Sequence, residues 1–139
     1  MEEAASPAVG LSQAAIELAE RAKEGRFALQ CCDACDAVQY PPRDVCHVCL
    51  GSALTWRDVP DGGTVLAETT IRVSTDPWFQ SRPPRRIGLV ALACGPSVVA
   101  FLGDGAVPDQ AVRMRFVVDQ AGRAVMAAST PNCNDASRV

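Results

Sequence analysis

Cys32-x-x-Cys35 and Cys46-x-x-Cys49 place two pairs of thiols at the spacing with which short hairpins grip one metal ion. Four sulfur donors fill a tetrahedral zinc sphere and leave no position for water or substrate, so the expected metal is structural zinc. A rubredoxin-like iron centre and a redox or metal-free site are the competing readings, and ligand softness is the guide among them. Zinc in comparable small sites supplies on the order of 10–16 kcal/mol of folding free energy, more than the few apolar residues around these cysteines can provide. Cys31 competes with Cys32 as a donor, but Cys32 has the two-residue spacing to Cys35. His47 lies between two of the expected ligands and reads as a solvated residue of the hairpin tip.

The rest of the sequence offers no catalytic set. There is one histidine, already placed in the ribbon, so a Ser-His-Asp or Cys-His arrangement lacks its base. Cys94 falls at the end of an apolar strand and reads as a small core residue, while Cys133 sits in a polar tail. Asp61-Gly62-Gly63 and Gly103-Asp104-Gly105 read as turns and not as phosphate-binding loops.

The elements that must carry the cysteines follow from periodicity. Residues 1–10 form a leader without pattern. From Leu11 to Lys23 the apolar residues Leu11, Ala15, Ile16, Leu18, Ala19 and Ala22 recur at helical spacing, with Glu17, Glu20, Arg21 and Lys23 opposite. Gly25 is the expected helix stop. Phe27, Leu29 and Cys31 alternate as a short strand entering the cysteine cluster, and Gly51-Ser52 turns the chain toward Leu54, Trp56 and Asp58. After Gly63 the period is two: Val65, Ala67, Thr69, Ile71 and Val73 are expected on one face of a long strand. Residues 75–86 contain Pro77, Pro83 and Pro84 and read as a surface loop. Residues 87–94 and 98–102 form an apolar hairpin, Val112, Met114, Phe116 and Val118 alternate in a fourth strand, and residues 124–128 make a fifth. The predicted fold is mainly β, with an N-terminal helix, a zinc ribbon and a five-stranded OB barrel. Its expected divisions are 1–26, 27–60, 61–128 and a tail at 129–139.

Composition sets the outer limits. The 139 residues are 48% hydrophobic and 21% charged, which suits one packed body. A net charge of -3 is a poor start for binding phosphate backbones. No apolar run is long enough to cross a membrane, and Met1-Glu2-Glu3 does not open a signal segment, so a cytoplasmic location is expected. Seven cysteines, an odd number, then suit metal and thiol chemistry better than disulfides.

Residues 27–30, the four cysteines, Pro41-Pro42-Arg43, Trp56, Gly62-Gly63-Thr64-Val65 and residues 86–102, in that order, resemble one family. It is the zinc-ribbon and OB-fold family associated with acyl-CoA enzymes, long labelled domain of unknown function thirty-five. The resemblance runs from about Leu11 to Ala128. It implies a helix, a rubredoxin-like ribbon and a barrel, in an accessory subunit of thiolase-like enzymes, side-chain aldolases or hydratases, or acyltransferases working on coenzyme A thioesters or polyketide-like acyl groups. Two departures stand out: Asp36 occupies the place of a glycine after the first Cys-x-x-Cys, with the second glycine displaced to Gly51, and Ala111 stands where a glycine precedes the penultimate strand.

The expected function is therefore a non-catalytic subunit of a hetero-oligomer, docked on a thiolase-fold partner near its acyl-CoA entrance. The docking candidates are the amphipathic helix and the proline-rich loop with Trp78 and Phe79, and the plain alternative is that both cap the barrel. Arg82, Arg85 and Arg86 are candidates for a coenzyme A phosphate or partner carboxylates, with ordinary surface charge as the alternative. A single-stranded nucleic-acid binder is the rival class. Against it stand four phenylalanines, two tryptophans and one tyrosine in all, most of them at core-phase positions.

Overall fold

The computed structural model describes residues 10–82 and 84–131. Helix α1 (Gln13–Lys23) starts at Ser12, whose side chain accepts from the Ala15 N–H at 3.1 Å, and ends at Glu24 and Gly25, the glycine at φ +75°. Ala14, Leu18, Ala19 and Ala22 form its buried face, while Ile16 stands largely outside it. That face is spent within the chain: α1 packs across one ribbon strand and two barrel strands, so the helix caps the seam between them.

The ribbon is a three-stranded sheet in the order β2 (Val38–Gln39), β1 (Ala28–Cys32) and β3 (Leu54–Asp58). All five residues of β1 are buried. Trp56 of β3 donates its indole N–H to Glu17 at 2.9 Å, and Arg21 lies over the same ring at 4.8 Å, which fastens α1 to the ribbon. Arg21 thus belongs to a packed contact and not to the solvated face its spacing suggested.

The barrel consists of β4 (Gly62–Ile71), β5 (Arg85–Leu92), β6 (Ser97–Leu102), β7 (Ala111–Val118) and β8 (Ala124–Ser129). It closes in the order β4-β5-β6-β8-β7, with one parallel pairing between β6 and β8. Closure removes every edge that an open five-stranded sheet would expose. The long predicted strand begins three residues earlier than its alternation suggested and carries a bulge between Val65 and Ala67. Across that bulge the alternation resets, so Val65 is buried while Leu66 and Ala67 are both exposed. Val73 lies beyond the strand and is 92% exposed, so the single face expected to run from Val65 to Val73 does not form. The segment expected as plain loop holds one helical turn, α2 (Pro77–Gln80).

Val65, Val90, Leu92, Val98, Ala100, Leu102, Val112, Met114, Met126 and Ala128 fill the barrel, and Leu29 of the ribbon joins them. Phe27 stacks on Phe116 at 5.2 Å between ring centroids, with Tyr40 tilted against Phe116 at 6.0 Å. Burial holds the Tyr40 hydroxyl above its ordinary pKa. Among the described residues no helix is long and apolar enough to cross a membrane.

Gly88 of β5 has no room for a side chain. A Cβ there would meet the Ala67 carbonyl oxygen and Leu102 Cδ1, each at 2.7 Å. Gly88→Ala is expected to lower stability by about 1–3 kcal/mol in chemical denaturation. Gly62→Ala, whose added methyl would meet only the Ala93 side chain at 3.9 Å, should be far milder in the same measurement.

Candidate metal centre

Each Cys-x-x-Cys closes a turn of the same construction. The Cys32 N–H donates to Ala37 O at 2.9 Å and the Asp36 N–H to Cys32 O at 2.8 Å. In the second hairpin, the Cys46 N–H donates to Gly51 O at 2.8 Å and the Leu50 N–H to Cys46 O at 3.0 Å. Asp36 (φ 62°) and Leu50 (φ 61°) follow the two pairs, and both hold the left-handed conformation that glycine adopts most easily. The tight turns form without glycine at those positions.

These turns bring the sulfurs of Cys32, Cys35, Cys46 and Cys49 within 4.8 Å of one another. The Cys32–Cys49 and Cys35–Cys46 separations are both 3.6 Å. Zn–S bonds of about 2.3 Å at tetrahedral angles put sulfurs roughly 3.8 Å apart, so the four thiols are gathered at about the size that ion needs. Cys32 and Cys46 are buried and Cys35 and Cys49 face solvent. The backbone N–H groups of Cys49 and Val48 draw the Cys46 thiol down to about 6. At Cys35 the Ala37 N–H pulls the same way, but desolvation and the Cys46, Cys32 and Cys49 sulfurs carry it up to about 12. A zinc ion bound here would take its sulfur ligands as thiolates.

A buried pair of amides, not singled out by the sequence reading, stands behind the second hairpin. Gln30 is 5% exposed and Gln39 is 3% exposed. Gln30 Nε2 donates to Arg43 O at 2.8 Å, and its Oε1 accepts from the Arg43 N–H at 2.7 Å and from Gln39 Nε2 at 3.0 Å. Gln39 Nε2 also donates to Val45 O at 3.2 Å, and its Oε1 accepts from the His47 N–H at 2.9 Å. His47 Nδ1 lies 2.9 Å from the same oxygen, so the imidazole carries its proton there. The signal available in the sequence was an amide at each of two strand positions flanking the cysteine loop.

Cys31 is buried outside the four-sulfur group, its thiol directed at Leu29 O at 3.8 Å and its pKa raised by desolvation. Cys94 is half-buried against the shared core, where burial raises its thiol. Cys133 lies outside the described residues, as do the side chains of Trp78 and Phe79. Arg85 and Arg86 open β5 and do not belong to the loop. Arg85 stacks over Phe101 at 5.3 Å, its pKa lowered by burial and then by Arg82; the Arg82 guanidinium lies 3.4 Å from Ser81 Oγ. Arg86 pairs with Glu68 and donates to Gly103 O at 3.1 Å and Ala106 O at 2.6 Å, clamping β4 and β5 to the loop after β6.

A four-thiol ribbon packed on a closed five-stranded barrel defines a zinc-ribbon and OB-fold protein with structural zinc. Residues 19–55 match the family profile described as the ChsH2 rubredoxin-like zinc ribbon domain, and residues 56–117 match the ChsH2 C-terminal OB-fold domain. The chain belongs to the zinc-ribbon and OB-fold family DUF35. Several solved chains share its fold, and two illustrate the likeness. One is a chain of the Ltp2-ChsH2(DUF35) aldolase, with TM-score 0.70 and 20% identity over 87% of this chain and 97% of that chain. The other is a DUF35-family protein of unknown function from Sulfolobus solfataricus, with TM-score 0.59 and 14% identity over 86% of each chain. No curated protein matches the sequence significantly.

Cys35→Ser or Cys46→Ser is expected to release zinc and unfold the ribbon, read as lost metal in elemental analysis, whereas Cys133→Ser should leave the metal content unchanged. Leu50→Gly removes a left-handed leucine that is 73% exposed. It should stabilise the protein by about 1 kcal/mol in thermal or denaturant unfolding.

Proposed function

We propose that this chain is an accessory, non-catalytic subunit that binds and stabilises a thiolase-fold acyltransferase, thiolase or aldolase acting on acyl-CoA or polyketide-like acyl substrates. Cys32, Cys35, Cys46 and Cys49 are its zinc ligands in this reading, and the metal orders the ribbon while the partner supplies the chemistry. The observation that carries the proposal is membership in DUF35, joined to the likeness in fold to a chain of the Ltp2-ChsH2(DUF35) aldolase. The ligand set supports it, because four thiolates leave the ion no place for substrate.

The surfaces left for a partner also support it. OB folds use the outer face of their second and third strands for binding, which here are β5 and β6. Leu89 and Val99 pair across those strands and are both exposed. Aliphatic side chains there suit an acyl enzyme's surface better than a nucleic-acid strand, which calls for aromatic platforms in a basic groove. Trp78, Phe79, Arg82 and Arg85 lie along the chain just before β5 or at its start and form the proposed partner or coenzyme A contact. Arg86, although one of the candidates, has its guanidinium engaged by Glu68 and two carbonyls. We place the assembly in the cytoplasm as a hetero-oligomer.

Co-expression with the thiolase-like enzymes encoded beside its gene tests the proposal. The two chains should co-elute in size exclusion, and the partner should lose solubility or activity when expressed alone. A partner equally soluble and active by itself would refute the proposal. Trp78→Ala should weaken the complex by about 2 kcal/mol in titration calorimetry while the zinc content stays at the wild-type level.

A further inference from the structure

We infer that Gln30 and Gln39 are positioning residues for the metal, a buried amide clasp that holds the loop carrying Cys46 in place to complete the four-sulfur site. The inference rests on the ligand set proposed above. Residues 43–47 lie outside the strands of the ribbon sheet, so the polar backbone of this segment has no ladder to satisfy it. The two glutamines do so instead, through Arg43 N–H, Arg43 O, Val45 O and His47 N–H.

The arrangement is specific. Gln39 Nε2 faces two acceptors, Gln30 Oε1 and Val45 O, and its Oε1 faces the His47 N–H, so the amide has one satisfied orientation. Gln30 grips both polar groups of Arg43 at once. Both residues sit on strands already fixed against the first hairpin: Gln30 is two positions before Cys32, and Gln30 pairs with Gln39 across β1 and β2. The clasp therefore refers the position of Cys46 to that of Cys32. Each buried amide would be costly to leave half-satisfied, which keeps the network all-or-none.

An ion that must close a floppy loop binds more weakly than one entering a preformed cage, and outer-shell partners of metal sites typically carry roughly 10–100-fold in affinity. The test uses the full chain with Gln39→Met and Gln30→Met, reading zinc affinity by competition with a chelator and the visible spectrum of the cobalt(II)-loaded protein. Each variant should bind zinc roughly 10–100-fold more weakly, with displaced cobalt bands. Gly88→Ala, which disturbs the barrel alone, should lower stability and leave the zinc constant and the cobalt bands at their wild-type values. If Gln39→Met does not fold, Gln39→Glu takes its place; it keeps the oxygen that accepts from His47 but not the donor to Val45 and Gln30. It too should bind zinc more weakly. Wild-type affinity and spectrum in the glutamine variants, or losses no larger than that of Gly88→Ala, would overturn the inference. A wild-type chain that binds no stoichiometric zinc would sink the ligand assignment instead, and the two failures are thereby told apart.

Discussion

Strand β1 is buried along its whole length because it serves two structures at once. Leu29, 1% exposed, belongs to the core of the barrel, while Cys32 in the same strand belongs to the thiol cluster. A three-stranded ribbon has too little apolar area to fold by itself, so its stability must come from the metal and from whatever it leans against. The Phe27–Phe116 stack adds about 0.5–1.5 kcal/mol beyond its buried area, and each fully buried aliphatic side chain about 1.5–3 kcal/mol. Zinc at on the order of 10–16 kcal/mol is the largest single contribution on the ribbon side. Helix α1 then covers the seam, with Trp56 bonded to Glu17 and stacked under Arg21.

How much of this the sequence disclosed depended on the kind of signal. Cys-x-x-Cys pairs, a helix with a glycine stop and five strands separated by turns are local patterns, and the helix, the thiol cluster and the closed barrel follow them. The bulge after Val65 is a product of barrel closure, where the strand must bend while it pairs with β5 on one side and β7 on the other. Periodicity carries no mark of such a shift. Arg86 illustrates the other limit. In sequence it stands among arginines after a proline-rich run; in space Glu68 and the carbonyls of Gly103 and Ala106 surround its guanidinium. Those partners lie far off along the chain, so a reading of neighbours has no access to them. The Gln30–Gln39 clasp was hidden for the same reason, being legible only once β1 and β2 are paired.

The helix shows how an amphipathic pattern underdetermines its partner. Its apolar stripe predicts that something will cover it, and the covering surface is the chain's own ribbon and barrel. That burial leaves the helix little apolar surface for another protein. The outer side of β5 and β6 differs, because Leu89 and Val99 cannot turn inward without slipping the register that buries Val90, Val98 and Ala100. Their exposure is thus fixed by the same alternation that fills the barrel, and a binding surface there would be rigid before any partner arrives.

Rigidity at the hairpins has a different origin. Asp36 and Leu50 both hold left-handed backbone, and an ordinary L-residue costs roughly 1–2 kcal/mol there relative to its preferred conformation. Aspartate relieves part of that cost through its short polar side chain; leucine does not. The penalty survives because it is small beside the free energy of the metal that needs the turn. The same comparison explains why it is unequal between states. With zinc bound, the turn at Leu50 is held by Cys46 and Cys49 on one side and by the Cys46–Gly51 backbone bond on the other. Without it, the strained residue has one restraint fewer, so the second hairpin is the place where loss of the metal would first loosen the ribbon.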